Sequence, residues 1–151
     1  MKRLAAIPGI RDLALTTNGY FLEEQAHDLI RAGLGRVNVS LDSLDASTFN
    51  GLTRRDYYAK VWKGLEIVQR LGVGPIKLNV VLIRGVNDDE IGEFGRLART
   101  RQYVVRFIEF MPIGMDDDWS GEKVVPAKEV MEKLEKEVGR KLQPIERRGL
   151  Q

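Results

Sequence analysis

Three short stretches of the chain carry hydrophilic side chains at every second position, with apolar ones between them. In Arg36-Val37-Asn38-Val39-Ser40-Leu41-Asp42, asparagine, serine and aspartate alternate with valine and leucine; Ile76-Lys77-Leu78-Asn79 follows the same rule, and Leu15-Thr16-Thr17-Asn18 follows it except at Thr17. Period two belongs to a β-strand, whose successive side chains point to opposite faces. Thr16, Asn18, Asn38, Ser40, Asp42, Lys77 and Asn79 are therefore predicted to share the face opposite the apolar one. Hydroxyls and carboxamides on such a face hydrogen-bond a polar ligand, and the ammonium of Lys77 is a compact charge suited to phosphate. Without water it would be costly there unless an anion met it. A strand lysine is also the residue type that forms Schiff bases with carbonyl substrates, as in an aldolase. Plainer roles stand beside these. Thr16 and Asn18 fit a strand end and turn, Ser40 fits a bond to its own loop, and Lys77 fits an ion pair with Glu109 or Asp42.

The elements that position these residues follow from apolar spacing. Leu13 to Thr17 reads as a strand closed by Asn18-Gly19, and Ala26, Leu29 and Ile30 give the stripe of a helix that ends at Gly33. After the Arg36 strand, Asp45 to Phe49 predicts a short helix. Val61, Trp62, Leu65 and Val68 predict a longer one over Tyr58 to Leu71. Pro75 introduces a strand over Ile76 to Ile83. Asn87 and Glu90 have the spacing of a capping box for a helix with stripe Ile91, Phe94, Leu97 and Ala98. Val104 to Phe110 is a fourth strand, carrying a second cation at Arg106. Met111 to Val125 lacks periodicity, and Pro126 opens a last helix with Val130, Leu134 and Val138. Leu4 to Ile7 reads as the end of a helix broken by Pro8-Gly9.

The order βαβαβαβ with a final helix calls for parallel strands and right-handed crossovers. In a doubly wound sheet both faces of inner strands are apolar, whereas burying these polar faces unpaired would cost about 1 to 3 kcal/mol per group. A curved sheet around a wet or ligand-filled hollow avoids that cost. The expected fold is a partial TIM-like (βα) barrel of parallel strands over residues 1–139, with a basic tail over 140–151. Its two open strand edges would draw the isolated chain into a dimer or aggregate.

Composition narrows the function. The 151 residues suit one domain, and 24 Lys and Arg against 22 Asp and Glu give a net charge of +2, too even to argue for nucleic acid or a membrane surface. There is no long apolar run and no signal-peptide pattern, so a cytoplasmic protein is expected. With no cysteine, the chain has no disulfide, no thiol catalyst and no thiolate for an iron–sulfur cluster. His27 reads as surface decoration, and Asp116-Asp117-Asp118 as a solvated loop.

Four spellings taken together carry a resemblance: Leu15-Thr16-Thr17-Asn18-Gly19, Arg36 to Asp45 as RVNVSLDSLD, Ile76-Lys77-Leu78-Asn79, and Val105-Arg106-Phe107-Ile108-Glu109-Phe110-Met111-Pro112. In this order and with these gaps the chain closely resembles the GTP 3′,8-cyclase family of radical S-adenosylmethionine enzymes, which performs the first step of molybdenum cofactor biosynthesis. The resemblance implies the last four βα units of a six-stranded barrel. It implies S-adenosylmethionine and two 4Fe-4S clusters as cofactors of the full-length family, the first cluster held by a CxxxCxxC loop. It also implies chemistry in which a 5′-deoxyadenosyl radical takes hydrogen from C3′ of GTP before C3′ closes on C8. Carried over by motif, Thr16 contacts GTP, Lys77 its phosphates, and Ser40 and Met111 contact S-adenosylmethionine, with Arg106 a further candidate for the triphosphate. Arg106 and Met111 have opposite strand parity, so a bulge or the start of a loop must bring them to one site. The chain departs from the family in having neither cysteine motif nor a GGEP-like segment, so as a fragment it is expected to ligate no cluster and not to cleave S-adenosylmethionine. A cysteine-free phosphate- or nucleotide-binding remnant, and a different (βα) barrel enzyme acting on phosphorylated substrates, are the alternatives.

Overall fold

The computed structural model describes residues 1–101, 103–111 and 120–144. Asp116 to Asp118, most of the stretch after Met111, and Ile145 to Gln151 of the basic tail lie outside the described residues. In chain order the elements are α1 (Lys2–Ala5), β1 (Ala14–Thr17), α2 (Leu22–Arg31), β2 (Arg36–Ser40), α3 (Ala46–Thr53), α4 (Tyr58–Arg70), β3 (Lys77–Leu82), α5 (Ile91–Arg101), β4 (Val104–Glu109) and α6 (Ala127–Val138).

The four strands form one sheet in the order β1-β2-β3-β4, with every neighbouring pair parallel. Sequential order, with no reversal, means that right-handed crossovers put all helices on one side, which is the plan of a barrel arc. Burial agrees. Val37, Val39, Leu78 and Val80 are wholly buried at 0% exposure under the helices, while the alternate positions Asn38, Ser40, Lys77 and Asn79 are only half-buried. The expected partial barrel is thus the observed fold.

One core lies under α2 and α4, where Ala26, Val61, Leu65 and Val68 meet Val37 and Val39. A second joins Val80 and Leu82 to Ile91, Phe94, Val125 and Val130 under α5 and α6. Gly19, at φ +80°, shows how tightly the first is closed, since a Cβ there would stand 3.0 Å from Val61 Cγ1. The turn it sits in is made locally: Asn18 Oδ1 accepts from the Tyr20 N–H and Thr17 Oγ1 from the Gly19 N–H, both at 3.1 Å.

Two local expectations are corrected. The helix begun at Asp45, whose carboxylate accepts from the Thr48 N–H at 2.8 Å, runs on to Thr53 and not only to Phe49. Asn87 and Glu90 do not form a capping box, because both side chains turn away from α5 toward the ends of β2 and β3. Beyond β3, the segment 120–126 is fastened back onto the sheet. Ile83 and Val124 form an antiparallel bridge, and Arg84 pairs with Glu129 of α6 at 2.7 Å.

Candidate functional site

The strand register turns the alternating sequence into transverse rows. Thr16 is paired with Asn38 and Asn38 with Lys77, which makes one row across β1, β2 and β3. Ser40 is paired with Asn79 and Asn79 with Arg106, which makes the next, across β2, β3 and β4. In parallel strands residues opposite one another share a face, so both rows lie on the side away from the helices. Thr16, Ser40, Lys77 and Arg106 are thereby brought onto one surface. Met111 lies two residues past the end of β4, with its side chain 52% exposed.

Most of this face carries uncommitted polar groups. Asn38 Nδ2 donates to Thr16 Oγ1 at 3.1 Å across the strands, while the turn read for Thr16 and Asn18 is bonded by Thr17 and Asn18. Lys77 and Arg106 have no ion-pair or hydrogen-bond partner among the described residues. The two carboxylates read as partners for Lys77 are engaged elsewhere: Glu109 Oε1 accepts from the Ala127 N–H at 2.9 Å and Asp42 Oδ1 from the Val81 N–H at 2.8 Å. The loop hydroxyl bond read for Ser40 is made instead by Ser43, whose Oγ accepts from the Asp45 N–H at 3.0 Å. Asn79 Oδ1 is buried with no hydrogen-bond partner, an orphaned acceptor between Ser40 and Arg106. A cavity of about 390 Å³ at the foot of β3, lined by Gln69, Pro75, Arg101 and Tyr103 among others, contains none of the five site candidates. The polar face is an open surface.

Asp42 closes this face at the end of β2. Burial pushes its carboxyl above the ordinary value of 3.8, against the opposing effect of the Val81 N–H bond. A carboxyl whose folded pKa is raised favours the fold fully below the unfolded value, and that contribution is lost as pH rises through the folded one. Asp42→Asn keeps an acceptor for Val81 and removes the titration. Urea unfolding across the pH range is therefore expected to show the variant gaining on the wild type from about pH 4 upward. Parallel stability curves would show that the carboxyl titrates as it does in the unfolded chain.

Residues 1–98 match the family profile of the radical SAM superfamily. The chain belongs to this superfamily. Among radical SAM proteins, it is 44% identical over 146 residues to a GTP 3′,8-cyclase of Thermodesulfovibrio yellowstonii, covering 97% of this chain and 45% of that one. A GTP 3′,8-cyclase of Gloeobacter violaceus is 51% identical over 114 residues, covering 76% and 35%. The chain thus spans less than half the length of these curated relatives. A radical SAM methyltransferase from Sphaerobacter thermophilus shares the fold at a TM-score of 0.62 and 19% identity, over 83% of this chain and 37% of that one.

The residues present fit one superfamily cofactor and not the other. The orphaned Asn79 acceptor and the Ser40 hydroxyl suit a ligand that brings hydroxyl or N–H donors, as S-adenosylmethionine does. An iron–sulfur cluster does not fit, because the chain supplies no cysteine. Among the described residues no cluster of three or more acidic or histidine side chains is placed to hold a metal ion. Also among them, no helix is long and apolar enough to cross a membrane.

The chemically important groups that sequence spacing missed are Asn87, Glu90 and Ser43, which join the ends of β2 and β3. The only signal was the placement of Asn87 and Glu90 ahead of α5, and spacing assigned that to the helix itself.

Proposed function

We propose that this chain is the barrel arc of a GTP 3′,8-cyclase, with residues 1–139 as the arc and 140–151 as a basic tail. Lys77 and Arg106 take the triphosphate of GTP, Thr16 contacts the same nucleotide, and Ser40 and Met111 contact S-adenosylmethionine, with Asn79 beside Ser40. The observation that carries this reading is the pair of cations on the open face without partners among the described residues. By strand spacing and rise their Cα atoms stand about 8 Å apart, a span that one polyphosphate bridges. S-adenosylmethionine, when bound in such enzymes, supplies the radical that begins the cyclisation; the side chains of this chain bind and orient. Alone it is expected to bind nucleotide without turning it over, to work in the cytoplasm, and to associate through the open edges of β1 and β4.

Isothermal titration of the chain with GTP and with guanosine tests the reading. Two charge-assisted contacts of about 1.5 to 3 kcal/mol each place GTP at least about 100-fold ahead of guanosine, with an advantage that shrinks at high salt. Equal affinities would remove the triphosphate from this face. Borohydride trapping at Lys77 by a panel of carbonyl compounds would point instead to Schiff-base chemistry.

A further inference from the structure

The loop between β3 and α5 reaches back over the ends of β2 and β3 with two buried polar side chains. Asn87 is wholly buried at 0% exposure. Its Nδ2 donates to the Asp42 carbonyl at 2.6 Å and the Val81 carbonyl at 2.8 Å, and its Oδ1 accepts from the Ile83 N–H at 2.7 Å. Glu90, 9% exposed, accepts from Ser43 Oγ at 2.6 Å and from the Leu44 N–H at 2.5 Å. Five hydrogen bonds thus join a loop to the two strand ends that follow the Ser40 and Asn79 row directly.

Their placement is one-sided. Asp42 and Val81 lie two residues beyond Ser40 and Asn79, the last paired row of β2 and β3, whereas Lys77 stands at the opposite end of β3. Beyond that row, the β2–β3 junction is held by the Leu41 N–H bond to the Asn79 carbonyl at 3.0 Å, by the Asp42 Oδ1 bond to Val81, and by the clasp. Side chains that hold an acceptor-rich row in place act on binding through geometry, because displacements of an ångström are enough to lose a ligand contact.

We infer that Asn87 and Glu90 are positioning residues, a buried clasp that holds the Ser40 and Asn79 end of the open face in register for the ligand bound there. The inference rests on the site reading above and deepens it, since it separates the Ser40 end on β2, joined to β3 by the clasp, from the phosphate cations: Lys77 stands at the start of β3, and Arg106, though in the Ser40 and Asn79 row, is held on β4 by a β3–β4 ladder that runs on to Glu109.

The test titrates the wild-type chain and its variants with two probes, S-adenosylmethionine for the Ser40 end on β2 and inorganic tripolyphosphate for the Lys77 and Arg106 cations on β3 and β4. Asn87→Ala and Glu90→Ala are expected to weaken S-adenosylmethionine about 10- to 100-fold and to leave tripolyphosphate within about 2-fold. Glu90→Gln is expected to restore the first affinity, because a carboxamide offers an acceptor to Leu44 and a donor to Ser43 Oγ. This rescue also provides a folded variant should either alanine substitution prevent folding. If both affinities move together in the alanine variants, if neither moves, or if Glu90→Gln behaves as Glu90→Ala does, the clasp is structural only. A wild-type chain that binds neither probe overturns the site reading itself, and the clasp's role with it.

Discussion

Titrating the Lys77→Ala/Arg106→Ala double variant with GTP is expected to give an affinity about 100- to 10,000-fold below that of the wild type. A hydrogen bond to a charged group contributes about 1.5 to 3 kcal/mol, and two of them lie in this range after conversion at 1.4 kcal/mol per tenfold. The expected loss is large because neither cation has a protein partner among the described residues. Removing them leaves no orphaned carboxylate behind, and what disappears is the contact with the ligand. Both side chains stand on the open face, Arg106 exposed and Lys77 half-buried, so circular dichroism is expected to report an unchanged fold. Each single variant should lose less than half of the total on a logarithmic scale if the remaining cation shifts toward the polyanion. Raising the salt concentration should weaken the wild type and leave the double variant almost flat. Wild-type affinity in the double variant would overturn the phosphate role of both residues.

Phe94→Ala carries a large expected cost to stability. Phe94 is 0% exposed and packs in the core formed with Val80, Leu82, Ile91, Val125 and Val130, edge-on to Phe107 at a centroid distance of 6.0 Å and an interplanar angle of 90°. Truncating a buried phenylalanine costs about 3 to 5 kcal/mol, the lost transfer energy plus the cavity left behind. A chain of this size shifts by about 2 to 4 °C per kcal/mol, so the melting temperature should fall by about 6 to 20 °C. Phe107, only half-buried, should cost less on the same substitution. A loss below about 1 kcal/mol for Phe94 would mean that α5 and α6 close over the gap, since large-to-small costs depend on how well a site collapses.

How much of this was legible beforehand varies with the range of the interaction. Alternation is local, so Ile76 to Ile83 was read as a strand within one residue of the observed Lys77–Leu82, and its apolar face is the buried one. The mismatch between polar strand faces and a doubly wound sheet pointed to the barrel arc for a reason that burial then bore out. The clasp was illegible. Asn87 and Asp42 are 45 residues apart, and local spacing has no means of registering a contact at that distance. The same holds for the pairing of Thr16 with Asn38 and for the orphaned acceptor of Asn79, both consequences of register. That Lys77 has no partner among the described residues depended on where Glu109 and Asp42 place their own hydrogen bonds, which a residue list leaves open.

The stagger of the two rows settles how like charges coexist on this surface. Lys77 belongs to the first row on β3 and Arg106 to the second on β4. Had the lysine stood at position 79, the two backbones would face each other across a single strand spacing of about 5 Å; the diagonal instead sets the Cα atoms about 8 Å apart and gives the two charged ends room to diverge. The unliganded fold can therefore keep both cations poised without recruiting an acidic neighbour to neutralise them. The same offset gives the surface a handedness, so that an elongated anion must lie obliquely across the strands to meet both.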